Sequence, residues 1–237
     1  METMKKILIV DDDRNISEIL EFNLKSEGFD VLCVFSAEEA LNHLEGVDLI
    51  LLDVMMGGMS GYKMAEHIRK EQNNTPIIFL TAKDTENDML TGFSVGGDDY
   101  ISKPFSIKEV SARIKAVLKR SEAIARQSKD NPEECIKVGD LFIDTKQKQI
   151  SIKGQNLVLT KTEYELLVLL AANSKRYFSR QEIIDTLWKD APYITHRTID
   201  VHVTRIRKKL GSYAYLLINR SGYGYRLNVE EAGKDAV

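Results

Sequence analysis

Short, continuous apolar runs recur at helix-length intervals through the first half of the chain. They are Ile7 to Val10, Val31 to Val34, Leu49 to Leu52 and Ile77 to Leu80, with a shorter one near Tyr100 to Ser102. Runs of this length read as strands buried on both faces, and the amphipathic stretches between them read as helices. The alternation predicts a doubly wound parallel sheet. Such a sheet binds its ligand in the crevice beyond the carboxyl ends of its strands. The residues just past the runs are Asp11 and Asp12, Asp53, Thr81 and Lys103. Three carboxylates, a hydroxyl and an ammonium on one rim suit a divalent cation and a phosphoryl group, because hard oxygens take the metal while hydroxyl and ammonium take phosphoryl oxygens. Each residue also has a plainer reading. Asp11, Asp12 and Asp13 fit the start of a helix as caps, Thr81 fits a strand, and Lys103 before Pro104 fits a turn. Their joint position at strand ends is what favours a site.

A chain of 237 residues, 43% hydrophobic, is long enough for two globular domains. Its net charge of -3 conceals an asymmetry: residues 1–120 carry 14 Lys and Arg against 21 Asp and Glu, whereas residues 121–237 carry 19 against 15. Between His196 and Arg226 seven basic residues face the single acid Asp200, a bias suited to a polyanion. The two cysteines, Cys33 and Cys135, stand in no metal-ligand spacing, so neither disulfide nor zinc chemistry has support and a cytoplasmic location fits. No apolar run approaches a signal peptide or a membrane span, so no membrane partner is expected.

The last helix of the first half runs from about Ser106 to Arg120, with Val110, Ile114, Val117 and Leu118 on one face. The polar stretch from Ser121 to Glu134 reads as a linker. Beyond it, alternation from Ile136 to Leu159 predicts a small antiparallel sheet. Three helices follow. Thr160 or Thr162 caps the first, Ser179 caps the second, and the third runs from about His196 to Leu210 before Gly211. On that third helix Ile199, Val203, Ile206 and Leu210 form a core stripe, while Arg197, Val201, Thr204 and Lys208 point the opposite way. Leu216 to Ile218 and Tyr225 to Leu227 flank a turn and predict a closing hairpin.

The motifs Ile-Val-Asp-Asp, Leu-Leu-Asp-Val-Met, Leu-Thr-Ala and Lys-Pro-Phe stand in register along residues 1–120. With them the segment resembles the receiver domain of bacterial response regulators, a flavodoxin-like fold with a five-stranded sheet. The resemblance implies that Asp53 accepts a phosphoryl group from a sensor histidine kinase. It implies that Asp12, Asp53 and the Met55 carbonyl ligate Mg2+, with Asp11 acting mostly through water. Lys103 and Thr81 would bind phosphoryl oxygens, Tyr100 would turn inward on activation, and Pro104 would follow a cis bond. The side chains of Met55 and Lys83 stand where the family tunes loss of the phosphoryl group. Gly57 and Gly58 replace the proline of many relatives, which predicts a looser loop. Asp98, Asp99, Glu109, Arg113 and Arg120 match the pairs through which the OmpR/PhoB subfamily joins two receivers, Asp99 with Arg113 and Asp98 with Arg120. Met89 replaces the usual basic partner of Glu109.

Residues 135–230 contain Leu-Thr-Lys-Thr-Glu-Tyr-Glu-Leu-Leu, Arg-Thr-Ile-Asp-Val-His-Val, Arg-Ile-Arg-Lys-Lys-Leu and Gly-Tyr-Gly-Tyr-Arg. They resemble the α+β winged-helix domain of that subfamily. The resemblance implies a recognition helix in the major groove of double-stranded DNA, with Arg197, Thr204 and Arg205 nearest base edges and His202 and Arg207 nearest phosphates. Lys208 joins this basic face. Arg220 stands one residue earlier in the hairpin than the usual arginine, which leaves its reach into the minor groove open. The implied whole is a phosphorylation-dependent transcription regulator, a homodimer when phosphorylated, bound to direct repeats and working with RNA polymerase. It is not read as an enzyme: an aspartyl-phosphate phosphatase would want an aspartate two residues after Asp53, where Met55 stands. A receiver with a protein-binding output is the other alternative.

Overall fold

A computed structural model describes residues 4–82, 86–127, 135–188 and 194–228. The chain divides into two compact units, Met1–Leu118 and Lys119–Val237. In the first, β1 (Lys6–Val10), β2 (Asp30–Val34), β3 (Leu49–Asp53), β4 (Ile77–Thr81) and β5 (Asp99–Ser102) make one sheet in the order β2-β1-β3-β4-β5. Every neighbouring pair is parallel. The connections run through α1 (Arg14–Ser26), α2 (Ala37–Ala40), α3 (Gly61–Lys70), α4 (Glu86–Ser94) and α5 (Ile107–Gln127).

β3 and β4 are buried at every residue, as strands covered on both faces must be. Ile7, Ile9, Leu49, Leu51, Ile78 and Leu80 share one core with Leu20 and Leu24 of α1 and with Val110, Ile114 and Val117 of α5. Each buried Leu or Ile contributes roughly 1.5–3 kcal/mol, so this core fixes where α1 and α5 lie. The opposite face is aromatic: Tyr62 of α3 meets Phe79 edge-on and Phe93 of α4 lies beside Tyr100. Because β1 sits between β2 and β3, the strand order reverses there. The crevice opens at the carboxyl ends of β1 and β3.

Of the three consecutive aspartates, Asp13 is the helix cap: its side chain accepts the Asn15 and Ile16 N–H groups. α5 continues past the expected end at Arg120 to Gln127, so the start of the expected linker is helical. Residues 128–134 of that linker lie outside the described residues.

In the second unit β6 (Cys135–Val138), β7 (Leu141–Asp144), β8 (Gln149–Ile152) and β9 (Gln155–Asn156) form the expected antiparallel sheet. The three helices are α6 (Lys161–Ala172), α7 (Arg180–Leu187) and α8 (His196–Leu210). Thr160 rather than Thr162 caps α6, in a capping box with Glu163, and Ser179 caps α7 in the same way with Glu182. Gly211 ends α8 at φ +58°. The closing hairpin pairs β10 (Leu217–Arg220) with β11 (Gly224–Leu227). Its seat depends on Gly224, at φ +100°, where a Cβ would fall 2.0 Å from the Phe178 carbonyl oxygen.

Candidate phosphoryl site and nucleic-acid interface

The carboxylate oxygens of Asp11, Asp12 and Asp53 lie within 4.8 Å of one another at the carboxyl ends of β1 and β3. Asp11 and Asp53 are buried, whereas Asp12 is exposed. Lys103, following β5, reaches back between them: its Nζ lies 2.7 Å from Asp11 and 3.3 Å from Asp53. The Lys103–Pro104 bond is cis. Burial raises the proton affinity of Asp53, the Asp11 charge adds to this, and Lys103 opposes it. Burial works against the Lys103 ammonium too, but the contacts to Asp11 and Asp53 outweigh it and raise its pKa. The Asp53 carboxylate also accepts the Met55 N–H at 3.3 Å. Thr81 is buried at the end of β4, and its carbonyl accepts the Lys103 N–H at 2.6 Å.

Two amides of the loop that follows Asp53 are bonded to neighbouring carboxylates. The Gly57 N–H donates to Asp12 at 3.2 Å, and the Met59 N–H donates to Glu38 of α2 at 2.8 Å. The Met55 side chain is exposed; Lys83 lies outside the described residues.

Tyr100, expected to turn inward on activation, is already buried. The charges expected to cross-link two chains are engaged within one. Arg113 Nη1 lies 3.1 Å from Asp99 and its Nη2 the same distance from Glu109, while Asp98 pairs with Arg69 at 3.3 Å and accepts the Ile77 N–H. Asp98, Asp99 and Arg113 are all buried and paired within the chain. The side chains of Arg120 and Met89 lie outside the described residues.

On α8 the expected DNA contacts divide. Arg197, Thr204 and Lys208 are exposed on one face, and Arg220 is exposed on the hairpin with its guanidinium 4.4 Å above the Tyr223 ring. His202 is fully buried against Trp188, ring centroids 5.5 Å apart. Its position, three residues after Ile199 and four before Ile206, lies within the core stripe and not on the exposed face. Arg205 and Lys209 both pair with buried Glu163, at 2.8 and 2.6 Å, and Arg205 is turned from the expected base edges to the protein interior. Arg207 donates twice to the Leu217 carbonyl, at 3.0 and 2.7 Å, and so braces the hairpin instead of projecting toward phosphates. The one acid of the stretch, Asp200, accepts from Arg180 at 2.7 Å and from the Tyr225 hydroxyl at 2.5 Å. This ties α7, α8 and β11 together and offsets the acid's charge beside the basic face. Sequence reasoning missed the Glu163 pairing, although the Thr-x-x-Glu capping pattern that buries Glu163 was legible.

Comparison with known proteins agrees with both halves. Residues 7–115 match the response regulator receiver domain, and residues 154–227 match the C-terminal domain of transcriptional regulatory proteins. The chain is similar to the response regulator DrrB of Thermotoga maritima, an OmpR/PhoB homologue, at 30% identity over 95% of this chain and 100% of that one, with a TM-score of 0.51. It is also similar to a RitR mutant, at 27% identity over 94% and 99% of the two chains, with a TM-score of 0.74. Among the described residues no helix is long and apolar enough to cross a membrane. A receiver whose strand ends gather three aspartates and a lysine, followed by a regulatory domain with a basic helix, matches such relatives along almost its whole length: the chain belongs to the OmpR/PhoB family of two-component response-regulator transcription factors.

Proposed function

We propose that a sensor histidine kinase phosphorylates Asp53 and that residues 1–120 then dimerise. The winged-helix domain, residues 135–230, is tethered by 121–134 and binds direct repeats in cytoplasmic DNA, with RNA polymerase as a further partner. The observation that carries the reading is the Lys103 ammonium set between Asp11 and Asp53 at the switch point of the sheet. An Asp53 oxygen attacks phosphorus, the P–N bond to the kinase histidine breaks, and the electron pair remains on the imidazole nitrogen. Lys103 and the Thr81 hydroxyl take phosphoryl oxygens as the acyl phosphate forms.

The clustered hard oxygens fit magnesium. Asp12, Asp53 and the Met55 carbonyl would hold it, with Asp11 acting mostly through water. When bound, the ion offsets the repulsion between an anionic nucleophile and an anionic phosphoryl group. Met55 supplies no acid or base for rapid hydrolysis, which supports a switch over an enzyme. A protein donor is supported by apolar surface near Asp53. Ile19, 53% exposed on α1, lines a groove of about 580 Å³ together with Ile16, Leu20, Pro104, Phe105 and the Asp53-facing Lys103, and Phe22 on the same helix is 76% exposed.

The chain incubated with labelled acetyl phosphate and magnesium is expected to carry acid-stable, base-labile label, and Asp53→Asn to carry none. Retention of full label by Asp53→Asn would sink the reading. Filter binding to genomic DNA separates a DNA-binding output from a protein-binding one.

A further inference from the structure

The Tyr62 hydroxyl lies where three elements meet. Tyr62 is the second residue of α3, entered directly from the loop that follows Asp53. The preceding Gly61 is tightly seated: a Cβ there would fall 2.2 Å from the Asp53 carbonyl oxygen, and its N–H donates to the Val54 carbonyl at 3.2 Å. Tyr62 is thus held at a fixed offset from the phosphoacceptor strand. Its ring stands edge-on to Phe79, 5.1 Å between centroids. Its hydroxyl donates to the Asp88 carbonyl of α4 at 2.9 Å and lies 3.4 Å from the Tyr100 hydroxyl. A phenol has one hydrogen. With that hydrogen directed at Asp88, the contact to Tyr100 takes Tyr100 as the donor.

The surroundings leave these rings little independent movement. A Cβ on Gly92 would come within 3.2 Å of both the Phe79 and Tyr100 rings, and one on Gly97 within 2.7 Å of Phe79. Interiors packed this closely move as units and transmit strain. Burial, and next the Tyr100 hydroxyl, push the Tyr62 phenol pKa upward, so it stays a protonated donor at neutral pH.

We propose that Tyr62 is a positioning residue of the switch: its hydroxyl links the loop carrying Asp53 to the first turns of α4 and holds Tyr100 in its buried orientation. This deepens the reading of Asp53 as phosphoacceptor and rests on it. A charge change at Asp53 that moves the loop moves α3's first turn, and the two hydroxyl contacts carry that movement to α4 and β5.

The test uses the full chain loaded with beryllofluoride and magnesium, with binding to fragmented genomic DNA as one readout. The second readout is tyrosine Cζ resonances, of which the sequence allows nine, assigned by single substitutions. Tyr62→Phe keeps the ring and removes the hydroxyl. It is expected to weaken DNA binding about fivefold, the change equivalent to one net hydrogen bond of about 1 kcal/mol, and to move the Tyr100 resonance. Tyr100→Phe is expected to weaken binding to a similar extent, and the double variant no further, as coupled neighbours behave. Label uptake at Asp53 should be unchanged in Tyr62→Phe. Additive losses, an unmoved Tyr100 resonance or wild-type DNA binding by Tyr62→Phe would overturn the coupling alone. A wild-type chain that takes no label would overturn the phosphoacceptor reading beneath it.

Discussion

Asp53 is held in a state that resists its own charge. Burial and the neighbouring Asp11 raise its pKa above the ordinary carboxylate value, and Lys103 only partly offsets them. For an acid the sign follows directly: the folded chain binds the proton more tightly than the unfolded chain. The cost of ionising Asp53 is therefore present at neutral pH and is relieved as pH falls through the raised pKa toward the unfolded value. Asp53→Asn is accordingly expected to unfold at a higher temperature than wild type at neutral pH in the presence of a chelator, with the gap closing on acidification. Magnesium should stabilise wild type, which binds it in the folded state, and leave Asp53→Asn nearly unmoved. Thermal unfolding across a pH series, with and without magnesium, checks both. An unchanging gap from neutral to acid pH would mean that burial of Asp53 exacts no such cost. The same logic of paired burial explains Lys103, whose ammonium is tolerated in a half-buried position because two carboxylates face it.

The recognition helix shows how an element's chemistry depends on which face each residue occupies. Its apolar period fixes Ile199, Val203, Ile206 and Leu210 inward, and the same period draws in His202. Of its cations, Arg205 and Lys209 pair with Glu163 and Arg207 with the hairpin, while Arg197 and Lys208 lie on the exposed face. His202→Ala is expected to lower stability by about 2–3 kcal/mol, a buried large-to-small change, while leaving the salt dependence of DNA binding unaltered. Lys208→Ala should leave stability within about 0.5 kcal/mol and reduce the salt slope of binding by about 1. Denaturant melts and binding titrations across salt concentration distinguish them. A reduced slope in His202→Ala would mean that the histidine leaves the core to meet DNA. In the receiver, the loop before α3 shows a corresponding feature: the Gly57 and Met59 N–H groups donate to carboxylates contributed from β1's end and from α2.

For the whole molecule, four of the charges expected to join two receivers, Asp98, Asp99, Glu109 and Arg113, are paired within one chain, so dimerisation must either reuse those pairs or repack that face. The beryllofluoride-loaded chain is expected to sediment as a dimer and the unloaded chain as a monomer. The loaded form should bind a two-site DNA at least about 100-fold more tightly than a one-site DNA, because tethering raises effective concentration. A loaded chain that remains monomeric at tens of micromolar would exclude receiver dimerisation. The parallel strands, the site rim and the helix limits near His196 and Leu210 were legible in the sequence, because side-chain period, caps and the carboxyl-end rule are local or topological. Gln127 as the end of α5 was not, since a polar, charged helix gives no apolar signal at its exit. By itself, then, the sequence determined which elements form and which residues gather at the rim of the parallel sheet. Only the tertiary structure decided which charges and hydroxyls remain available. The partners of Arg205, Arg113, Asp98 and Tyr62 come from other elements, and a hydrogen bond between side chains distant in sequence leaves no periodic trace in it.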